Sequence, residues 1–142
     1  MDKRVLVPVD GSEQAHRACE FVLSEYPGAD LTLLHVINPA EAGYSARASL
    51  PAFSEEWYQQ AQSRAEAVFD EIEADIEGTD VSVSRQIEVG KPVRGIVEYA
   101  EEEAIDQIVM GSHGRSGVSR ILLGSVAEAV VRRSPVPVTV VR

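Results

Sequence analysis

Arg4-Val5-Leu6-Val7-Pro8-Val9-Asp10-Gly11-Ser12 is the stretch on which the fold turns. From Arg4 to Val9 it is a short, nearly continuous apolar run, and it ends in an Asp-Gly-Ser turn. A run without polar alternation suits a strand covered on both faces, which is how strands sit in parallel α/β sheets. Ser12 then reads as an N-cap, Glu13 to Tyr26 as a helix, and Pro27-Gly28 as its stop. A strand-turn-helix unit at the start predicts that the rest of the chain repeats it.

The repeats follow. Asp30 to Ile37, with Leu31, Leu33, Leu34, Val36 and Ile37, reads as a second strand. Asn38 to about Ser54 contains Pro39, Gly43 and Pro51 and reads as a long loop, either a functional lid or a locally disordered segment; Tyr44 and Phe53 are its candidates for closing over a ligand. Glu55 to about Glu77 is strongly acidic with Ala61, Ala65, Val68 and Ile72 in one apolar stripe, which predicts a helix with a solvated acidic face. In Asp80 to Val89, Val81, Val83, Arg85, Ile87 and Val89 alternate with polar residues, as in a half-exposed strand at one side of a sheet. Pro92 opens a helix through Ile96, Val97 and Ala100, Ile105 to Met110 is the next strand, Val126 to Arg133 is helical, and Val136 to Val141 is the last strand. Five strands alternating with four helices predict an α/β fold, an open five-stranded parallel sheet with helices on both faces. Its 142 residues suit one domain, 1–142, with a sizeable core.

In such sheets ligands bind beyond the carboxyl ends of the strands, where strand order reverses. Two strand ends therefore matter, Val9-Asp10-Gly11 and Met110-Gly111. After the second come Ser112, His113, Gly114, Arg115, Ser116 and Gly117, then Gly124-Ser125 at a helix start. Glycines let backbone amides approach an anion, and a helix start adds free N–H groups and the positive end of its dipole. Gly111 turns the chain off the strand, Gly114 and Gly117 keep the loop clear where phosphates pass, and His113 and Arg115 add charge or hydrogen bonds. The other reading is a surface loop followed by a Ser125-x-x-Glu128 capping box. Charge favours an anion: residues 1–110 carry 8 basic and 22 acidic side chains, whereas residues 111–142 carry 5 basic and 1 acidic.

The overall charge of −10 argues against nucleic acid as a partner. With lysine only at positions 3 and 91 against an acidic background, it points to a high-salt cytoplasm. One cysteine, Cys19, excludes an intrachain disulfide and reads as a small core residue. Neither a signal peptide nor a membrane span is visible, so a cytoplasmic protein without a membrane partner is expected. Neither a P-loop nor a Gly-x-Gly-x-x-Gly turn after the first strand occurs. Asp10 suits a ribose hydroxyl, a divalent metal beside phosphates, or simply a turn or helix cap. His16, His35 and His113 lack metal-ligand spacing, and His35 inside a strand reads as packed. No serine nucleophile with an identifiable base emerges.

With these residues in place, the chain resembles the universal stress protein family over essentially its whole length. The resemblance rests on Val5-Leu6-Val7-Pro8-Val9-Asp10-Gly11-Ser12, Leu33-Leu34-His35-Val36, Gly90-Lys91-Pro92 and the block from Val109 to Val141. That block fits the family pattern Gly-x2-Gly-x9-Gly-Ser/Thr at Gly111, Gly114, Gly124 and Ser125 without a gap. The resemblance implies a Rossmann-like fold akin to the adenine nucleotide alpha hydrolases, and membership of the branch that binds ATP. It places adenine against the backbone of Val36 and near Pro8, counts Val9 among the nucleotide-binding residues, and directs Asp10 toward the ribose and a Mg2+ or Mn2+ ion carried with the nucleotide. The loop from Gly111 to Gly117, with Gly124, Ser125, Val126 and Ala127, would surround the phosphates, and Met110 is a further nucleotide-binding residue.

It further implies a homodimer through the last strand. The residues agree, since Pro135 and Pro137 mark an edge and a valine-rich edge invites pairing, the alternative being an edge masked by its own terminus. The expected function is a nucleotide-dependent stress-response regulator or switch, with slow or absent turnover because no residue is evident to position an attacking water. The alternatives are a slow ATPase or nucleotidyl-transfer enzyme using Asp10 and a metal, and a nucleotide-free interaction module.

Overall fold

The computed structural model describes residues 2–41, 54–113 and 123–142. Its strands are β1 (Arg4–Pro8), β2 (Asp30–Ile37), β3 (Ser82–Val89), β4 (Gln107–Gly111) and β5 (Val138–Val141). Its helices are α1 (Glu13–Glu25), α2 (Glu55–Ile76), α3 (Pro92–Glu102) and α4 (Ser125–Arg133), with a 3-10 turn at Pro39–Glu41. All strand pairings are parallel, in the order β3-β2-β1-β4-β5.

The alternation along each strand sorts side chains to two faces. Val5, Val7, Leu31, Leu33 and Val109 pack with Ala15, Ala18, Cys19 and Val22 of α1 and Ala65, Phe69, Ile72 and Ile76 of α2. Leu6, Leu34, Ile108 and Met110 pack on the opposite side with Ile96 and Ala100 of α3 and Ala127 and Val130 of α4. The central strands are therefore apolar at nearly every position because each residue meets a helix layer. Burying Phe69 completely contributes roughly 2–3 kcal/mol.

Phe69 also corrects the predicted stripe of the acidic helix, in which Val68 stood at that level. Trp57, Ala61, Ala65, Phe69, Ile72 and Ile76 are the buried positions, and Val68 lies at the margin. The helix turns through about 100° per residue, so a four-residue step after Ala65 stays over the sheet.

β3 is an edge, as its alternation predicted, and Val89 at its end is 51% exposed. Arg85 ties this edge to α2 through Glu66, Asp70 and Glu73. β5 is the other edge. Pro135 and Pro137 precede it instead of lying within it, and Pro137 contributes only its carbonyl, which accepts from Ile108 N–H at 2.9 Å. Other bounds shift by one or two residues: Val9 falls outside β1, and β4 starts at Gln107 and runs on to Gly111. Of the predicted long loop, Ser54 is the N-cap of α2, accepting from Trp57 N–H at 3.0 Å, and 42–53 lie outside the described residues with Tyr44 and Phe53.

Candidate functional site

From β1 the chain moves to β2 and β3 on one side, then crosses to β4 and β5 on the other. Strand order thus reverses between β1 and β4, and in parallel α/β sheets the crevice that takes a ligand lies beyond the carboxyl ends of such a pair. Pro8 closes β1, with Val9 and Asp10 directly after it. Met110 and Gly111 close β4, followed by Ser112 and His113. Val36 is the penultimate residue of β2, the strand paired with β1. Gly124 is the N-cap of α4, and Ser125, Val126 and Ala127 form its first turn. Gly114, Arg115, Ser116 and Gly117 lie outside the described residues.

The junction after β1 is fastened by one backbone bond and by side chains. Val9 N–H donates to Leu34 O at 2.8 Å, while Val9 O accepts from His35 Nδ1 at 2.8 Å. Asp10 Oδ1 accepts from Ser12 N–H at 2.9 Å, the turn role among those foreseen for this aspartate. Gly11 has φ of +85°, a left-handed conformation that a side chain would strain. Ser12 Oγ then caps α1 by accepting from Ala15 N–H at 3.2 Å.

The junction after β4 is fastened by backbone. Ser112, only 4% exposed, donates its N–H to Val141 O at 2.7 Å and accepts from Gly124 N–H at 2.7 Å. The start of α4 is thereby held against the end of β4. A Cβ on Gly124 would lie 3.0 Å from His113 Cα, and one on Gly111 would lie 2.6 Å from Gln14 Cβ and 2.9 Å from its carbonyl carbon. Gly111 is required by close packing and brings the first turn of α1 onto the end of β4, while Gly124 packs tightly against His113.

The capping-box reading is overturned here. Ser125 is the first helical residue of α4, not its cap, so its hydroxyl is misplaced to close the box. Glu128 pairs forward with Arg132 at 2.9 Å. Among the described residues no side chain caps α4, and the N–H groups of its first turn have no intrahelical partners. They carry the positive end of the helix dipole toward the end of β4.

Several features escaped the sequence reading. Gly95, inside α3, lets that helix approach Val36: a Cβ there would lie 3.0 Å from Val36 Cγ2. A mid-helix glycine, costing about 1 kcal/mol in propensity, was its signal. Ser112 Oγ lies 3.1 Å from His113 Nδ1, a serine-imidazole pair where no base for a serine had been found. Adjacent residues rarely face each other in regular structure, and only the turn off β4 makes this pair. His16 sits 3.3 Å from Asp75 and 4.0 Å from Glu71, away from the crevice residues. Cys19 is buried, and burial followed by the Asp75 and Glu20 carboxylates pushes its thiol up to about 12, which leaves it protonated and inert. Among the described residues no cluster of three or more histidine, cysteine or carboxylate side chains is placed to hold a metal, and no helix is long and apolar enough to cross a membrane.

A model of the universal stress protein family matches residues 1–142. The chain belongs to the universal stress protein family. Its similarity to Universal stress protein MJ0577 of Methanocaldococcus jannaschii is 34% identity over 157 aligned positions, spanning 100% of this chain and 96% of that one. The solved structure of MJ0577 superposes with a TM-score of 0.84 at 36% identity, covering 99% of this chain and 96% of the other. UspA of Lactobacillus plantarum gives a TM-score of 0.79 at 26% identity, over 99% and 97% of the two chains. A universal stress protein solved in complex with cAMP gives 0.59 at 28% identity, again over 99% and 97%. The parallel sheet and its Rossmann-like arrangement are thus those of universal stress proteins.

Proposed function

We propose that this universal stress protein binds ATP in the crevice between the ends of β1 and β4 and serves as a nucleotide-dependent regulator in the stress response of the cytoplasm. The observation that carries the reading is the start of α4. Gly124 brings an N-terminus without a side-chain cap onto the end of β4, at the reversal of strand order, in a segment of positive local charge. The Gly111-x2-Gly114-x9-Gly124-Ser125 spacing supports phosphates there, with Arg115, Ser116, Gly117, Val126 and Ala127 around them. Val36 supplies backbone groups for adenine beside Pro8 and Val9, and the relative in complex with cAMP supports an adenine nucleotide as the ligand class.

Asp10 fits a ribose hydroxyl, or a Mg2+ or Mn2+ ion held chiefly by phosphate oxygens. Such an ion takes few protein ligands, so a single carboxylate beside the phosphates suffices. The deciding experiment is mass analysis of nucleotide released from the denatured, purified protein, followed by calorimetry with ATP and Mg2+. Recovered or titrated adenine nucleotide is expected. An empty extract with no binding afterwards would leave the nucleotide-free interaction module as the function.

One observation favours a second reading as a slow ATPase or nucleotidyl-transfer enzyme. The Ser112-His113 pair stands at the end of β4, within the same crevice as Asp10. Steady-state hydrolysis abolished in Asp10→Ala would support catalysis, and its absence in the parent protein would support a switch. The assembly proposed is a homodimer through residues 136–141, since β5 is an open sheet edge with half-buried residues at each of its four positions. Light scattering at micromolar concentration should give twice the chain mass of 15.4 kDa, and a clean monomer would exclude the dimer.

A further inference from the structure

His35 has no part in the function so far, yet its ring holds the backbone at the point where β1 gives way to the Asp10 turn. Along β2, backbone groups of alternate residues point to opposite neighbours. Leu34 O accepts from Val9 on the β1 side, whereas Ile37 O accepts from Gly90 on the β3 side. Val36, two residues after Leu34, therefore directs both its N–H and its C=O toward β1, at a level where β1 has already ended.

In a parallel ladder the bond after Val9 N–H to Leu34 O would run from Val36 N–H to Val9 O. Among the described residues that bond is not made. Val9 O accepts instead from His35 Nδ1 at 2.8 Å. A carbonyl only accepts, so Nδ1 carries a proton and donates it to Val9 O. The imidazole does what the next ladder bond would have done for Val9, and it leaves the Val36 amide to the crevice.

We propose that His35 is a positioning residue for base recognition: it holds the Val9 carbonyl, fixes the entry into the Asp10 turn and keeps the Val36 N–H and C=O open as a donor-acceptor pair. This inference rests on the proposed binding of an adenine nucleotide. A backbone N–H beside a backbone C=O matches adenine, whose N1 accepts and whose N6 amino group donates. Guanine presents the opposite polarity, with a donor at N1 and an acceptor at O6. The base preference of the site thus depends on a histidine that acts through backbone.

The test is calorimetry of ATP, AMP, GTP and inorganic tripolyphosphate on the full chain and its His35→Leu, His35→Asn and His35→Asp variants. Asn offers an N–H donor at the reach of Nδ1, Leu offers none, and ionised Asp has the shape of Asn without the donor. His35→Leu and His35→Asp should bind ATP and AMP about tenfold more weakly, with a smaller preference for ATP over GTP. His35→Asn should recover affinity to within about threefold of the parent, and tripolyphosphate should bind all four proteins alike. Equal ATP affinity across the series would overturn the inference, as would a loss shared by ATP and tripolyphosphate that Asn does not rescue. If His35→Leu does not fold, the Asn and Asp variants decide alone, and equal binding by those two overturns it. A parent protein that binds tripolyphosphate but no adenine nucleotide refutes the base site, and one that binds none of the ligands refutes the nucleotide reading itself.

Discussion

Two helices begin at the same crevice, and they begin differently. The first turn of α1 is closed by its own side chains: Ser12 Oγ accepts from Ala15 N–H, and Asp10 Oδ1 accepts from Ser12 N–H. That of α4 follows a glycine cap and is closed by no side chain among the described residues. A capped start is bound for stability, typically by about 1 kcal/mol. An uncapped start gives up that contribution and keeps its amides for an external acceptor. The contrast separates a helix start closed by side chains from one whose first-turn N–H groups no described side chain takes, although both follow parallel strands at the same end of the sheet.

The largest expected effect is on the contact that joins the two ends. Gly111→Val would drive a side chain into the Gln14 backbone, so urea unfolding should show a loss of roughly 3 kcal/mol. A change below about 1 kcal/mol would mean that α1 can shift freely away from β4. Next, Gly114→Leu should weaken ATP about tenfold or more in calorimetry while stability stays within about 0.5 kcal/mol. Unchanged affinity would remove the α4 loop from the site and with it the contrast.

Ser12→Ala provides the reverse case. It should lower unfolding stability by about 1 kcal/mol and leave ATP affinity within about twofold, because that serine caps a helix and holds no phosphate. The smallest effect concerns the body of α1 beneath the cap. The Cys19 thiol is raised from its ordinary 9.0 to about 12 in the fold, so the unfolded chain releases the proton first. Stability should fall as pH rises above about 9, and Cys19→Ala should flatten that part of the profile by less than about 1 kcal/mol at pH 9.5. Superimposable profiles would show that the buried thiol makes no contribution.

The bounds of β2 agree from Asp30 to Ile37 because its apolar run and its flanking turn residues are local signals. The edge character of β3 was likewise legible, since alternation reports a strand with only one covered face. The bounds of β1 and β4 were less so: Val9 and Ile105 are buried outside the strand bounds, and an apolar pattern cannot separate burial from strand membership. The Ser125-x-x-Glu128 spacing suggested a cap that the helix starts one residue too early to use. By its local sequence Gly111 reads as a turn residue, whereas its packing against Gln14 joins positions nearly a hundred residues apart.

By itself the sequence determined the alternating strands and helices, the apolar faces, the glycine spacing and the local positive charge, because each depends on residues close together in the chain. Only the tertiary structure decided that strand order reverses between β1 and β4, which of two helix starts no described side chain caps, and that His35 takes the carbonyl of Val9. Those outcomes depend on the order β3-β2-β1-β4-β5 and on contacts between distant segments. A backbone group has the same chemistry at every position, and only its neighbours in space decide whether it is bound within the fold or open to a ligand.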